Sequence, residues 1–148
     1  MYKKRLEKEI TDLSLLNNES IISFGPVSDD LDYQALIKGP KNSPYEGGFF
    51  FINFKYTRQY PFKPPNVTFT TKIYHQSISN NGYIKLSIVD DDWSPIVNIS
   101  KILSEILYIL VDPNPNNNVN YEALYHFEQD RINYYRIARD FTIKYASN

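Results

Sequence analysis

The order of the elements predicts an α+β fold: one helix, four strands in succession, a long irregular stretch, then more helix. Three observations carry this. An apolar stripe at helical spacing opens the chain, four short apolar runs broken by turn residues follow, and two further helical patterns close it. In such an order the helices pack on one face or end of an antiparallel sheet.

The opening helix runs from about Tyr2 to Leu16. Leu6, Ile10 and Leu13 fall at i, i+4 and i+7 and form one stripe, with Lys4 and Lys8 pointing away from it. The strands are expected at Ile21–Phe24, Tyr33–Ile37, Phe49–Phe54 and Val67–Phe69. Gly39-Pro40 ends the second, and Ser43-Pro44-Tyr45-Glu46-Gly47-Gly48 precedes the third, both strong breakers. Short connections between successive strands favour an antiparallel meander.

Tyr60-Pro61-Phe62-Lys63-Pro64-Pro65 cannot be the interior of a strand, because proline lacks the donor and fixes φ; a rigid surface loop is expected. From Thr70 to Asn98 the pattern is irregular, with a turn at Asn80-Asn81-Gly82. A connection of this length inside a compact domain is usually functional or disordered. Asn98 or Ser100 is placed to cap the next helix, where Ile99, Ile102, Leu103, Ile106, Ile109 and Leu110 line one broad face. Asp112-Pro113-Asn114-Pro115 stops that helix. One last helical stretch, from about Tyr121 to Ala146, carries Tyr134, Ala138, Phe141 and Tyr145 at 4-3-4 spacing.

A chain of 148 residues fits a single domain over residues 1–148, long enough to bury a core. Its net charge of −1 gives no field that would draw nucleic acid or an anionic membrane. It has no cysteine, which excludes disulfides, thiolate metal sites and every cysteine-based mechanism. With only two histidines, His75 and His126, a multi-histidine metal cage is not expected, and no metal or cofactor is implied. The basic start Met1-Tyr2-Lys3-Lys4-Arg5 leads into no apolar signal core, and no run has transmembrane length. The expected location is cytosolic or nuclear.

Several separated motifs resemble one family. Tyr74-His75-Gln76-Ser77, Gly82-Tyr83-Ile84-Lys85-Leu86 and Trp93-Ser94-Pro95 are similar to the active-site region of ubiquitin-conjugating enzymes. Gly25-Pro26-Val27, Gly39-Pro40 and Ser43 to Gly48 resemble loops flanking the family's second strand, Tyr60 to Pro65 its proline-rich loop, and Asp112 to Pro115 a further signature. The resemblance covers nearly the whole chain, in the family's order, and is strongest to its small, core-domain-only members. It implies the ubiquitin-conjugating fold and a place in the ubiquitin pathway.

At the reacting centre the resemblance departs from the pattern. Lys85 stands at the position of the cysteine that accepts ubiquitin as a thioester. A thiolate is both a strong nucleophile and a good leaving group, whereas an ordinary lysine amine, with a pKa of about 10.4, is protonated at neutral pH and would form an amide that transfers no further. The family's His-Pro-Asn appears as His75-Gln76-Ser77, with Ser77 where the resemblance implies an oxyanion-stabilising asparagine. Ser87 and Asn117 replace aspartates that prepare an incoming lysine. Ser104 and Tyr108 lie on the helix against which the family folds its donor ubiquitin, and Tyr108 is expected to obstruct that docking.

The implied binding surfaces are better kept. Lys4, Arg5 and Lys8 resemble the helix face used for ubiquitin-activating enzyme and ligases. Phe62, Lys63, Ser94 and Pro95 resemble the two-loop patch gripped by RING and U-box ligases, with Ile96 replacing a usual smaller residue. Ile22 replaces a serine in the family's noncovalent ubiquitin site, and the direction of its effect stays open.

Plain readings stand beside these. Lys85 alone reads as a solvated lysine, since an amine nucleophile needs burial or a cationic neighbour and the residues following it, Asp90, Asp91 and Asp92, are anionic. His75 reads as a structural histidine, Phe62 as a tolerated surface aromatic, Lys4, Arg5 and Lys8 as a solvated helix face, and the aspartate run as a turn. The resemblance therefore implies a conjugating-enzyme variant that forms no thioester and binds a ligase, ubiquitin or a ubiquitin-like protein, or an active conjugating enzyme. The alternative is an active enzyme whose cysteine was replaced by Lys85 on purpose, to trap ubiquitin as an isopeptide. A third reading, an unrelated enzyme using Lys85 as an amine nucleophile, ranks below both.

Overall fold

Helix α1, Tyr2–Leu15, buries Leu6 and Leu13 as its apolar spacing requires, and it ends where Leu16 turns extended. Four strands follow it: β1 (Ile21–Pro26), β2 (Asp32–Lys38), β3 (Phe49–Lys55) and β4 (Asn66–Phe69). They pair antiparallel in the order β1-β2-β3-β4, the meander expected from their short connections. This computed structural model describes residues 1–147.

Strand side chains alternate between faces, so period-two burial identifies the inner one. Tyr33, Ala35 and Ile37 of β2, Phe50, Ile52 and Phe54 of β3, and Val67 and Phe69 of β4 are buried. They form one cluster with Leu6 and Leu13 and with the broad apolar face of α2 (Ile99–Val111). Asn98 caps α2 by accepting from the Lys101 N–H at 2.8 Å, as one of the two expected caps should. The helix stops at Asp112, ahead of the two prolines.

The last helical stretch is not continuous. It divides into α3 (Tyr121–Gln129) and α4 (Arg131–Phe141), with Asp130 serving both. The Asp130 N–H donates to the His126 carbonyl at 2.8 Å and so closes α3, while its side chain accepts from the Asn133 N–H at 3.2 Å and opens α4. Beyond Phe141 the chain widens into a π-helical turn, Thr142–Ala146, which rotates the buried face. Thr142 and Ala146 are buried there. Tyr145, expected on the stripe of Tyr134 and Ala138, instead lies at the surface with its ring 5.4 Å from that of Phe141.

Two loop readings change in part. Tyr60-Pro61 begins a surface loop, but Tyr60 and Pro61 are themselves buried, and only Phe62 and Lys63 emerge from it. Residues 70–98 are ordered by backbone pairing rather than by long strands. Phe69 and Gly82 bond at 2.8 Å, Ser79 and Tyr83 at 2.8 Å, and Lys85 and Ser77 at 2.9 Å. The buried Tyr45 hydroxyl donates to the Tyr74 carbonyl at 2.5 Å and lies 3.2 Å from the Tyr134 hydroxyl, tying the loop before β3 to this segment and to α4. No helix among the described residues is long and apolar enough to cross a membrane.

Gly82 shows how tightly the segment is held. Its φ is +92°, and a Cβ there would sit 2.0 Å from the Phe69 carbonyl oxygen. Gly82→Ala combines a left-handed backbone penalty with a backbone clash, so it should cost about 3 kcal/mol or more of stability in urea unfolding.

Candidate functional site

The segment from Gly82 to Leu86 runs extended, with Gly82, Ile84 and Leu86 buried and Tyr83 and Lys85 exposed. Ile84 bridges Ile78 in antiparallel fashion, which fixes this alternation. Lys85 therefore presents its side chain to solvent from a backbone that the core holds in place. Among the described residues it takes part in none of the ion pairs.

His75, Ser77 and Asn117 come together beneath Lys85. The His75 ring is fully buried, its Nε2 lies 2.7 Å from the Ile109 carbonyl oxygen of α2, and its Nδ1 accepts from the Ser77 N–H at 2.9 Å. An accepting Nδ1 leaves the proton on Nε2, which donates to α2. Burial pushes the ring's pKa down to about 4, although the backbone bond to Ile109 opposes this. With both nitrogens engaged and no access to solvent, His75 is a neutral structural tie, and no nitrogen remains for proton transfer.

Ser77 is buried as well, and its hydroxyl donates to the Asn117 carbonyl at 2.5 Å. Its one proton is thus directed into the 112–120 loop, not toward Lys85. The neighbouring Gln76 donates from its side chain to Asn118 Oδ1 at 3.0 Å, and its carbonyl accepts from Val119 and Asn120. Its own Oε1 is buried with no partner among the described residues. Asn117 meets Ser77 through its backbone. Ser87 is exposed, and its carbonyl accepts from the N–H groups of Asp90 and Asp92 in the solvated turn.

The residues expected to bind partners occupy four places. Phe62 (67% exposed) and Ile96 (86% exposed) stand out on adjacent loops, with Lys63 and Pro95 exposed and Ser94 half-buried. The Trp93 indole N–H donates to the Pro61 carbonyl at 3.1 Å and so joins the two loops. Ser104 and Tyr108 are exposed one turn apart on α2, where the Tyr108 hydroxyl donates to Asp112 at 3.1 Å. Ile22 lies in a β-bulge between Ile21 and Ser23, outside the regular register. The outer face at that strand is held by Ser23, opposite Leu36. Ile22 is itself exposed and, with Ser23, Leu13 and Leu16, lines a groove of about 380 Å³ at the end of α1.

On α1, Lys4 and Lys8 point outward as expected, but Arg5 does not. It turns in to pair with Glu9 at 2.7 Å and donates to the Val97 carbonyl at 3.1 Å. Glu9 was missed by sequence reasoning. It shares the spacing of Leu6 and Leu13, and a carboxylate on a core stripe was the signal that could have found it. No group of three or more His, Cys, Asp or Glu among the described residues is arranged to hold a metal ion.

Comparison with known proteins agrees with this architecture. The family model for ubiquitin-conjugating enzyme matches residues 5–142. A solved structure of the E2 domain of a Toxoplasma gondii ubiquitin conjugating enzyme is 32% identical, with a TM-score of 0.90 over 99% of this chain and 100% of that one.

The buried His75 makes stability depend on pH. Its folded pKa of about 4 lies below the ordinary 6.5, so between these values the unfolded chain binds a proton that the folded one refuses. Stability is full above pH 6.5 and declines as pH falls toward 4. From pH 6.5 to pH 5 the loss should be about 1.5 kcal/mol by urea unfolding, with the His75 ring showing no titration by NMR over that range.

Proposed function

We propose, from the premise that this chain belongs to the ubiquitin-conjugating enzyme family, that it is an inactive member serving as a binding module. The observation that carries this reading is chemical: the chain has no cysteine, and the outward-facing residue that matches the family's cysteine position is Lys85. No residue present can form a thioester. The surroundings support the same reading, since the Ser77 hydroxyl is already engaged with Asn117 and both nitrogens of His75 are occupied. The oxyanion-stabilising role implied for Ser77 is thereby weakened.

The surface of Phe62, Lys63, Ser94 and Pro95 is the favoured contact, and a RING or U-box ligase its favoured partner. An exposed aromatic on a loop braced by Trp93 loses little conformational freedom on binding. Lys4 and Lys8 extend this surface along α1 and would also serve toward an activating enzyme. Noncovalent ubiquitin at Ile22, ubiquitin or a ubiquitin-like protein against Ser104 and Tyr108, and pairing with an active conjugating enzyme are further arrangements of the same module. The engineered-trap reading draws on one feature, the solvent-facing Lys85 amine.

With activating enzyme, ATP and ubiquitin, the protein should form no adduct that a thiol reductant removes. A reductant-resistant adduct on Lys85 would transfer the weight to the isopeptide trap. Lys85→Cys should charge slowly and discharge poorly to free lysine, because the other positions remain neutral or engaged; normal turnover by that single change would refute intrinsic inactivity.

Titration with a panel of RING and U-box domains should shift NMR signals of Phe62, Lys63, Ser94 and Pro95. Phe62→Ala should cost about 2 kcal/mol or more of binding, as expected for a central aromatic anchor. Lys63→Ala should cost less, and its effect should fade with added salt. A folded protein whose signals stay unmoved by the whole panel would count against this surface.

A further inference from the structure

We infer that Glu9 and Arg5 are positioning residues for the surface formed by Phe62, Lys63, Ser94 and Pro95, fixing its shape from beneath. The inference rests on the reading of that surface as a ligase site, and it adds residues that would touch no partner through their charged groups.

The geometry converges on one carboxylate. The Glu9 side chain is only 6% exposed. Its Oε2 accepts from Arg5 Nε at 2.7 Å and from the Tyr60 hydroxyl at 2.5 Å, and its Oε1 accepts from the Ile99 N–H at 2.8 Å. Arg5 adds a bond to the Val97 carbonyl at 3.1 Å, and its guanidinium carbon lies 5.5 Å from the Tyr60 ring centre. Every donor that this buried charge needs is therefore supplied, and each comes from a different place in the chain.

Those places are the roots of the binding surface. Tyr60 begins the loop that lifts Phe62, whose N–H returns to the Gln59 carbonyl at 2.8 Å. Val97 and Ile99 end the loop that carries Ser94 and Pro95. The Trp93-to-Pro61 bond joins the two loops at the surface, and the Glu9–Arg5 pair joins both to α1 below. Phe62 is itself mostly exposed and has little packing to hold it, so the backbone under it sets where the ring stands. A charge-assisted hydrogen bond is well suited to that task because it is strong and directional.

Tyr60→Phe separates positioning from bulk stability, since it keeps the ring and removes one bond. Amide exchange of residues 59–63 and 93–99 should rise about tenfold or more, the scale of a lost hydrogen bond to a charge, while β2 and β3 stay protected. Affinity for the RING or U-box domain that titrates the wild-type protein should fall roughly threefold as the competent loop population drops. That fall should vanish in the Phe62→Ala background, because a positioning effect acts through Phe62. Glu9→Gln should repeat the pattern more strongly, by setting an amide against donors.

Faster exchange spread evenly over the sheet would overturn the inference, as would unchanged exchange in both loops or an affinity loss that adds fully to Phe62→Ala. If no RING or U-box domain binds the wild-type protein, the ligase reading fails, and the exchange experiment alone decides whether Glu9 and Arg5 shape these loops.

Discussion

The arrangement of the candidate site depends on one buried imidazole. His75 reaches α2 through Ile109 and its own segment through Ser77, so it spans the gap between the helix and the 74–86 segment. Remove it and three further contacts lose their common frame: Ser77 to Lys85, Ser77 to Asn117, and Gln76 to Val119. A long connection without regular secondary structure must satisfy its backbone polar groups somewhere. Here they are satisfied largely within the segment and against the 112–120 loop, which is why the segment is ordered.

A neutral histidine suits this position because it offers one donor and one acceptor from a rigid ring. Around it the core is aromatic to an unusual degree, with Tyr45 6.0 Å from the imidazole and 3.2 Å from the Tyr134 hydroxyl. Burial raises the pKa of Tyr45 and of Tyr134, so both remain neutral hydrogen-bonding groups. Among the described residues the interior thus joins its parts with neutral polar contacts near the site and uses a buried charged pair at α1.

Much of this was legible in the sequence, and for identifiable reasons. The four strands were marked by short apolar runs broken by turn residues, and α2 by a broad apolar face behind Asn98, one of two candidate caps. The break at Asp130 was not legible, because Tyr121 to Ala146 keeps helical spacing across it and contains no proline or glycine. Ending one helix and starting another on a single aspartate is a matter of hydrogen bonds. Arg5 read as a surface cation because its second acceptor, the Val97 carbonyl, lies 92 residues away in the chain.

The alternation through Ile84, Lys85 and Leu86 has a consequence for how such a protein can change over time. The two flanking residues face the interior and set the strand, while the side chain between them contributes nothing to the packed core. Folding is therefore nearly blind to what stands at position 85. An architecture that places its reacting atom on the solvent side of a well-held strand can exchange that atom without loss of stability, so inheritance of the fold and inheritance of the chemistry are free to part company.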